Sequence, residues 1–232
     1  MELFGAIRER KSVRAFRQEP VPKDYLIRLI GAGTAAPSKG NTQIWEFVVV
    51  AGKKKKEMDT MLLHLLKTDF IPSMKLGDPD ESSRNSEALK KAEARSAKNR
   101  EDMEKFIAPA GIPVEKFMLE GTFTFFNAPV AALVMVDEVF SKDLPHILSV
   151  GAAVENVLLA AVDLGLGACW IGGVWRYTKE IRSFLGVTEN KRLLSAIAIG
   201  YPDTDSPINK FKSGRDNLNG FVRWIGLDGV GS

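Results

Sequence analysis

The chain has 232 residues, of which 45% are hydrophobic and 26% charged, a composition typical of a protein that folds around a sizeable core. Its formal net charge of +3 gives no general case for binding nucleic acid or an anionic membrane, so any anion-binding role must be local. The single cysteine excludes an internal disulfide framework and a thiolate zinc site, and the two histidines add no metal-binding pattern.

The N-terminal region combines a short helix, predicted over residues 2–10 with one apolar side, with a cluster of positive charges. Four cations surround one hydroxyl group, that of Ser12: Arg8, Arg10, Lys11 and Arg14. These cations repel one another unless an anion lies among them or water solvates each separately. A solvated basic face is therefore the alternative to a site that binds the oxygens of a phosphate.

A second helix is predicted to open at Pro22 and to stop before the loop at residues 35–41. Within and just after this loop, Ser38, Asn41 and Gln43 offer hydrogen-bond donors and acceptors suited to the edge of a planar heterocycle. Ordinary turn chemistry explains the same residues equally well. The loop alone therefore does not decide between binding and structure.

The middle of the chain begins with a strand predicted over residues 44–52 and a helix that follows it. That helix starts with four lysines at 53–56, which we expect to be solvated rather than bound to nucleic acid, because no aromatic residues are interleaved. Between about 68 and 120 the chain becomes polar and highly charged, with a helix at 86–105. We expect this excursion to lie at the surface, outside the core.

The C-terminal half carries the most apolar segments. Residues 128–137 predict a buried strand, and residues 144–163 predict a helix that is apolar nearly all round and must be buried in a core or against a partner chain. Polar residues inside this helix argue against a membrane span. Charged residues near the N-terminus argue against a secretory signal, so we expect a cytoplasmic protein.

A glycine pair follows the next strand, in "ACWIGGVW" at 168–175, where Gly172 and Gly173 would let backbone approach a flat ligand closely. Thr178 is predicted to cap a helix that ends near Gly186, and residues 193–202 predict the last strand. Neither a G-x-G-x-x-G nor a G-x-x-x-x-G-K-[ST] pattern occurs, which disfavours a dedicated Rossmann nicotinamide site. Helices and strands alternate without repeats or linkers, so we predict one α/β domain over residues 1–232.

Five segments, in this order, resemble the FMN-dependent nitroreductase family: "RERKSVRAF", "AAPSKGNTQIWEFVVV", "GAAVENVLLAAVDLGLGACWIGGV", "AIGYPDTDSP" and "KFKSGRDNL". The resemblance covers most of the chain apart from residues near 68–120. It implies an α+β fold in which helices flank a central mixed, mainly antiparallel sheet. It also implies an intertwined homodimer with FMN at the interface.

The resemblance carries the family's binding roles to matching positions of this chain. The motif that holds the cofactor phosphate and ribityl chain corresponds to Arg10, Lys11, Ser12 and Arg14. The family's loop from the second subunit corresponds to Pro37, Ser38, Lys39, Asn41 and Gln43. The backbone donor near flavin N5 corresponds to the stretch Ile171, Gly172 and Gly173. The late phosphate-binding cations correspond to Lys212 and Arg215.

The implied activity is that of an FMN-dependent oxidoreductase, in which NADH or NADPH reduces the flavin and leaves, and a nitroaromatic, quinone or similar electron-poor acceptor then takes its place. Arg14 is the candidate cation for stabilising negative charge on the reduced flavin. No catalytic acid or base is expected, because water can supply the proton in an open cleft. The alternatives are another flavin reaction on this scaffold, namely reductive dehalogenation, flavin fragmentation or azoline oxidation, and a flavin-binding or basic-patch protein without turnover.

Overall fold

The computed structural model describes residues 2–69 and 86–226, and these form helices on both faces of a four-stranded sheet. The helices are α1 (Leu3–Glu9), α2 (Lys23–Thr34), α3 (Gly52–Thr68), α4 (Glu87–Ile107), α5 (Val114–Phe123), α6 (Leu144–Asp163) and α7 (Thr178–Leu185). The strands are β1 (Glu46–Ala51), β2 (Val130–Asp137), β3 (Gly167–Ile171) and β4 (Lys191–Gly200). The sequence predicted each of these helices and strands except α5, and it predicted α4 from its charged composition rather than from apolar periodicity.

The sheet has the strand order β1-β2-β4-β3, and all three neighbouring pairs are antiparallel. A parallel bridge between Ser12 and Ala168 adds the N-terminal segment beside β3. The sheet is therefore mixed and mainly antiparallel with helices around it, which confirms the predicted fold class.

The central strand β2 is buried from Val130 to Val136, because both of its faces are covered. Its side chains alternate between two cores, as the pleat of a strand requires. Ala131, Leu133 and Met135 pack in a core that includes residues of α3 and α7. The opposite face packs in a second core that includes residues of α2 and α6. Strands covered on both sides read as continuous apolar runs, which explains "VAALVMV".

Helix α6 is only partly buried by this chain. Residues such as Val154 and Val157 lie in the core, whereas Leu144 and Leu148 are about two-thirds exposed, at 67% and 65%. The prediction of burial on every side is thus not fulfilled within one chain. Among the described residues α6 alone is long and apolar enough to suit a membrane span, and it packs against α2 and β3 as core helices do.

Two further helices differ in how far their apolar side chains are buried, and one of them corrects a prediction. The apolar side of α1, with Leu3 and Phe4, stays exposed to solvent in the single chain. Conversely, the charged helix α4 is not wholly at the surface, because Met103 and Ile107 near its C-terminus are buried in a third core. Residues 70–85 of the predicted excursion lie outside the described residues.

Thr178 does not cap α7 as predicted. It is the first residue of the helix, and its hydroxyl donates a 2.5 Å hydrogen bond back to the carbonyl oxygen of Trp175. The helix ends as expected at Gly186, whose φ of 69° lies in the left-handed region that glycine adopts without a steric penalty.

The lysine run at 53–56 contains one buried side chain, which corrects the expectation that all four would be solvated. Lys55 is 3% exposed and donates hydrogen bonds to Asp59 Oδ2 at 2.6 Å and to the Thr124 carbonyl oxygen at 2.9 Å. Periodicity places every fourth helical residue on one face, so the lysine at this position turns toward the core and requires a carboxylate partner.

The buried pair predicts an unusual dependence of stability on pH. Burial raises the pKa of Asp59 to about 6, against the attraction of Lys55, and burial also lowers the pKa of Lys55. Because the folded chain holds the Asp59 proton more tightly than the unfolded chain does, with its ordinary pKa of 3.8, this group stabilises the fold most at low pH. That contribution is lost as the pH rises through about 6.

We therefore expect the free energy of unfolding of the wild type, relative to Asp59→Asn, to fall as the pH rises from about 4 to about 6. Urea denaturation of both proteins at each pH measures the difference in their free energies of unfolding. Titrating groups that the two proteins share contribute equally to both and drop out of this difference. A difference that stayed constant, or that rose with pH, would contradict the assignment.

Candidate functional site

The N-terminal cations and residues 211–217, which we call the C-terminal tail, form one cavity of about 440 Å³. Its lining comprises Ile7, Arg8, Arg10, Lys11, Ser12, Arg14, Phe211, Lys212, Ser213 and Arg215. The structure thus brings together two groups of predicted site residues that lie almost two hundred positions apart in the sequence. Arg8, which belongs to the predicted cluster of cations but was not matched to a family binding position, and Phe211 also line the cavity.

The N-terminal wall of the cavity is fixed by the edge of the sheet. Ser12 forms a parallel bridge with Ala168, and the Val13 amide donates a 3.0 Å hydrogen bond to the Ala168 carbonyl oxygen. A Cβ at Gly167 would lie 2.7 Å from the Val13 side chain, so only glycine permits this close approach. The cationic segment is therefore attached to β3 through its backbone, which leaves the side chains available.

Asn209 links the two walls and was missed by the sequence analysis. Its side-chain nitrogen donates to the carbonyl oxygens of Ala15 at 2.7 Å and Asp203 at 2.8 Å, and its side-chain oxygen accepts from the Arg14 amide at 2.9 Å. Lys11 Nζ donates to the Asn209 carbonyl oxygen. The residue is 4% exposed, yet its sequence neighbourhood, "SPINKF", carries no signal beyond an ordinary polar loop.

The cavity holds more positive charge than the described residues compensate. Within residues 2–69 and 86–226, its only cation with a carboxylate partner is Arg10, 3.7 Å from Glu155. The side chains of Lys11, Lys212 and Arg215 donate to backbone carbonyl oxygens. The Nε of Arg14 is buried and has no hydrogen-bond partner among the described residues.

A buried donor without an acceptor and several like charges in one cavity both cost free energy. An anion rich in oxygen atoms removes both costs, because guanidinium and ammonium groups donate strong hydrogen bonds to phosphate. The residues present therefore fit a phosphate monoester.

An aromatic ring lies beside one of the cations that line the cavity. The guanidinium carbon of Arg14 lies 5.8 Å from the ring centre of Phe126. Phe125, Phe126 and Asn127 all have left-handed φ angles, between 52° and 57°, which non-glycine residues adopt only under tertiary constraint. Gly121 makes room for this turn, because a Cβ there would lie 2.3 Å from the Phe126 ring.

The predicted glycine pair directly follows β3, as expected. A Cβ at Gly173 would lie 2.8 Å from Thr122 Cγ2, so a larger residue at this position requires the neighbour to move. A Cβ at Gly172 would meet no atom within 4 Å. Backbone is thus exposed at Gly172, whereas Gly173 is packed against α5.

The loop at residues 37–43 lies apart from the lining of the cavity and contacts the start of α6. The Lys39 amide donates to Ser149 Oγ at 3.2 Å, and Ser38 Oγ accepts from the Gln43 amide at 3.1 Å. The side chain of Gln43 donates to Asn41 Oδ1 at 3.0 Å. The described chain therefore does not bring Pro37, Ser38, Lys39, Asn41 and Gln43 to its own cavity.

A charged residue, Asp143, stabilises the start of α6. Asp143 caps the helix and contacts His146 Nδ1 at 2.8 Å, and Lys39 Nζ lies 3.9 Å from the same carboxylate. The hydrogen bonds from His146 hold the pKa of Asp143 below its usual range, with a smaller contribution from Lys39. The ionised carboxylate thus helps to fix the loop on the helix.

The fold and the cavity together define an α+β protein with a cationic cavity at the edge of its sheet, whose side chains suit a phosphorylated ligand. The chain belongs to the nitroreductase family, whose sequence model matches residues 7–201. The matched span includes the N-terminal cations, the loop at 37–43 and the glycine pair, and it ends before the C-terminal tail.

Curated relatives cover nearly the whole chain at low identity. A 4-nitrobenzoate reductase of Pseudomonas putida is 24% identical over 97% of this chain and 96% of its own length. A chloronitrobenzene nitroreductase of Comamonas testosteroni is 23% identical over 94% of this chain and 95% of its own length.

Solved structures confirm the fold. The FMN-dependent nitroreductase NfnB of Mycobacterium smegmatis, in complex with NADPH, has a TM-score of 0.80 at 23% identity and covers 97% of this chain and 100% of its own. An FMN- and NADPH-dependent nitroreductase from a strain named sphigopyxis sp. HMH has a TM-score of 0.76 at 25% identity, with the same coverage.

We expect Asn209→Ala to reduce the free energy of unfolding by about 3 kcal/mol, because the change removes three buried hydrogen bonds and leaves their backbone partners without side-chain partners. Urea denaturation measures this loss. Asn217→Ala is the matched control, since that exposed side chain has, among the described residues, a single hydrogen bond, which it accepts from the Asn219 amide within its own turn. Equal stability of the two variants would remove Asn209 from its linking role.

Proposed function

We propose that the chain is an NAD(P)H-dependent FMN oxidoreductase that reduces nitroaromatic, quinone or similar electron-poor acceptors by a ping-pong mechanism. The observation that carries the proposal is the cavity in which cations from both ends of the chain lie together and, among the described residues, only Arg10 has a carboxylate partner. The FMN- and NADPH-dependent relatives, which share the fold over nearly the whole chain, support it.

Six side chains would hold the phosphate and ribityl part of FMN: Arg10, Lys11, Ser12, Arg14, Lys212 and Arg215. The backbone at Ile171, Gly172 and Gly173 would approach the flat ring system. When bound, FMN supplies the transfer of electrons from NADH or NADPH to the acceptor.

The chain's own contribution is to bind, orient and balance charge. Arg14 is held at its amide by Asn209 and beside Phe126 at its guanidinium group, so its charge has a fixed position. A fixed cation stabilises the additional negative charge of a reduced cofactor. We assign no catalytic acid or base, because water can supply the proton.

A homodimer would complete the site. The loop at 37–43 lies outside the cavity of its own chain, and α1 and α6 leave apolar side chains exposed, including Leu3, Phe4, Leu144 and Leu148. Burial of such side chains drives association of subunits. We therefore propose that the partner's loop contributes to each site. A cytoplasmic location is also part of the proposal, and the single cysteine supports it because a reducing compartment disfavours disulfides.

The first test is the visible spectrum of the purified protein before and after anaerobic addition of NADH or NADPH. We expect a flavin spectrum that bleaches, with FMN released on denaturation. Bound FMN that neither donor reduces would indicate a flavin-binding protein without this activity. A colourless protein that does not take up FMN would overturn the proposal.

A second test concerns Arg14. We expect Arg14→Ala to weaken FMN binding about tenfold or more, since it removes a charged hydrogen-bond donor, and to lower the reduction potential of the bound flavin. Arg17→Ala is the matched control, because Arg17 pairs with Glu19 and Tyr201 outside the cavity. If the Arg14 variant kept both the dissociation constant and the potential of the wild type, the role would belong to another residue.

A further inference from the structure

The C-terminal cations of the cavity lie on a segment without regular structure. Residues 211–217 form neither helix nor strand, and among the described residues the amides of 212–216 donate no hydrogen bond to another backbone group. Lys212 and Arg215 lie within this segment. Apart from the hydrogen bond that Lys212 Nζ donates to the Arg8 carbonyl oxygen, the position of these two cations therefore depends on side-chain contacts at the two ends of the segment.

The first end is anchored to α4 by apolar packing. Phe211 is 4% exposed and packs with Met103 and Ile107 of α4, and its ring lies 5.7 Å from that of Phe106 at an angle of 54°. Aromatic pairs of this geometry add to the free energy of burial. Phe211 also lines the cavity, so this packing sets one border of the cationic segment.

The second end is anchored to the same helix by charge. Arg95 donates from Nε to Asp216 Oδ2 at 2.6 Å, and its guanidinium carbon lies 5.4 Å from the ring centre of Phe221. Arg95 and Phe106 are separated by about 16 Å along the helix, from the rise of 1.5 Å per residue. The tail thus runs along α4, with later tail residues contacting earlier helix residues.

We propose that α4 is the positioning element of the phosphate site, and that Arg95 acts through Asp216 to hold Lys212 and Arg215 in the cavity wall. The charged helix therefore contributes to binding indirectly, because it supports the tail that carries the two cations. This inference rests on the proposed function, because it assigns a role toward the phosphate of FMN.

Removal of the Asp216 carboxylate is a test in which two explanations predict opposite changes in the affinity for FMN. Its carboxylate directly follows Arg215 and opposes the binding of an anion, so electrostatics alone predict that its removal strengthens FMN binding. If the carboxylate instead positions the tail, its removal weakens FMN binding. The ion pair is half exposed, with both side chains at 49%, so a change of a few-fold is expected.

The experiment compares the dissociation constants of FMN and riboflavin for the full-length protein, measured by quenching of flavin fluorescence. Riboflavin lacks the phosphate, so the ratio of the two constants isolates the phosphate contribution. We expect Asp216→Ala and Arg95→Met each to weaken FMN binding about threefold and to leave riboflavin binding unchanged. Lys98→Met is the matched control, because Lys98 pairs with Asp102 on the same helix at 2.9 Å.

FMN binding that is unchanged or tighter in Asp216→Ala would overturn the positioning role of α4. An equal loss in Lys98→Met would also overturn it, since the effect would then reflect only the charge of the helix. Failure of the proposed function is visible separately, in a wild-type protein that binds neither flavin or binds FMN no more tightly than riboflavin.

Discussion

The mutual repulsion of cations in one cavity is the constraint on which the rest of the site depends. Arg8, Lys11, Arg14, Lys212 and Arg215 line a space of about 440 Å³, and the described chain supplies no carboxylate partner to any of them. Side chains of like charge stay this close together only where the surrounding structure holds their backbone in place. Much of what the fold does near the site is to meet that requirement.

Three separate devices hold the cations in place. The bridge between Ser12 and Ala168 attaches the first wall to the sheet, and Asn209 joins that wall to the second. Helix α4 contacts the tail on both sides of its cations, through Phe211 and Asp216. Because these devices use backbone groups, the apolar ring of Phe211 and residues outside the cavity wall, the cationic side chains stay available for a ligand.

Two predictions from local patterns were right, although a third, the capping role of Thr178, was wrong. The continuous apolar run of β2 predicted a strand buried on both faces. Gly186 predicted the end of α7, where the structure shows it in the left-handed conformation. Other predictions were wrong where the outcome depends on a distant partner. Lys55 is buried because Asp59 and Thr124 accept its hydrogen bonds, and Met103 and Ile107 of α4 are buried because the tail packs on them.

The sequence by itself determined the order and type of the elements other than α5, the family and the residues suited to hold a phosphate, because periodicity, turn chemistry and motif order are properties of neighbouring positions. Only the tertiary structure decided that residues 8–14 and 211–215 share one cavity, that Asn209 joins them and that α4 supports the tail. The physical reason is that such contacts join segments far apart in the chain. Their geometry exists only after the sheet and its two cores have formed.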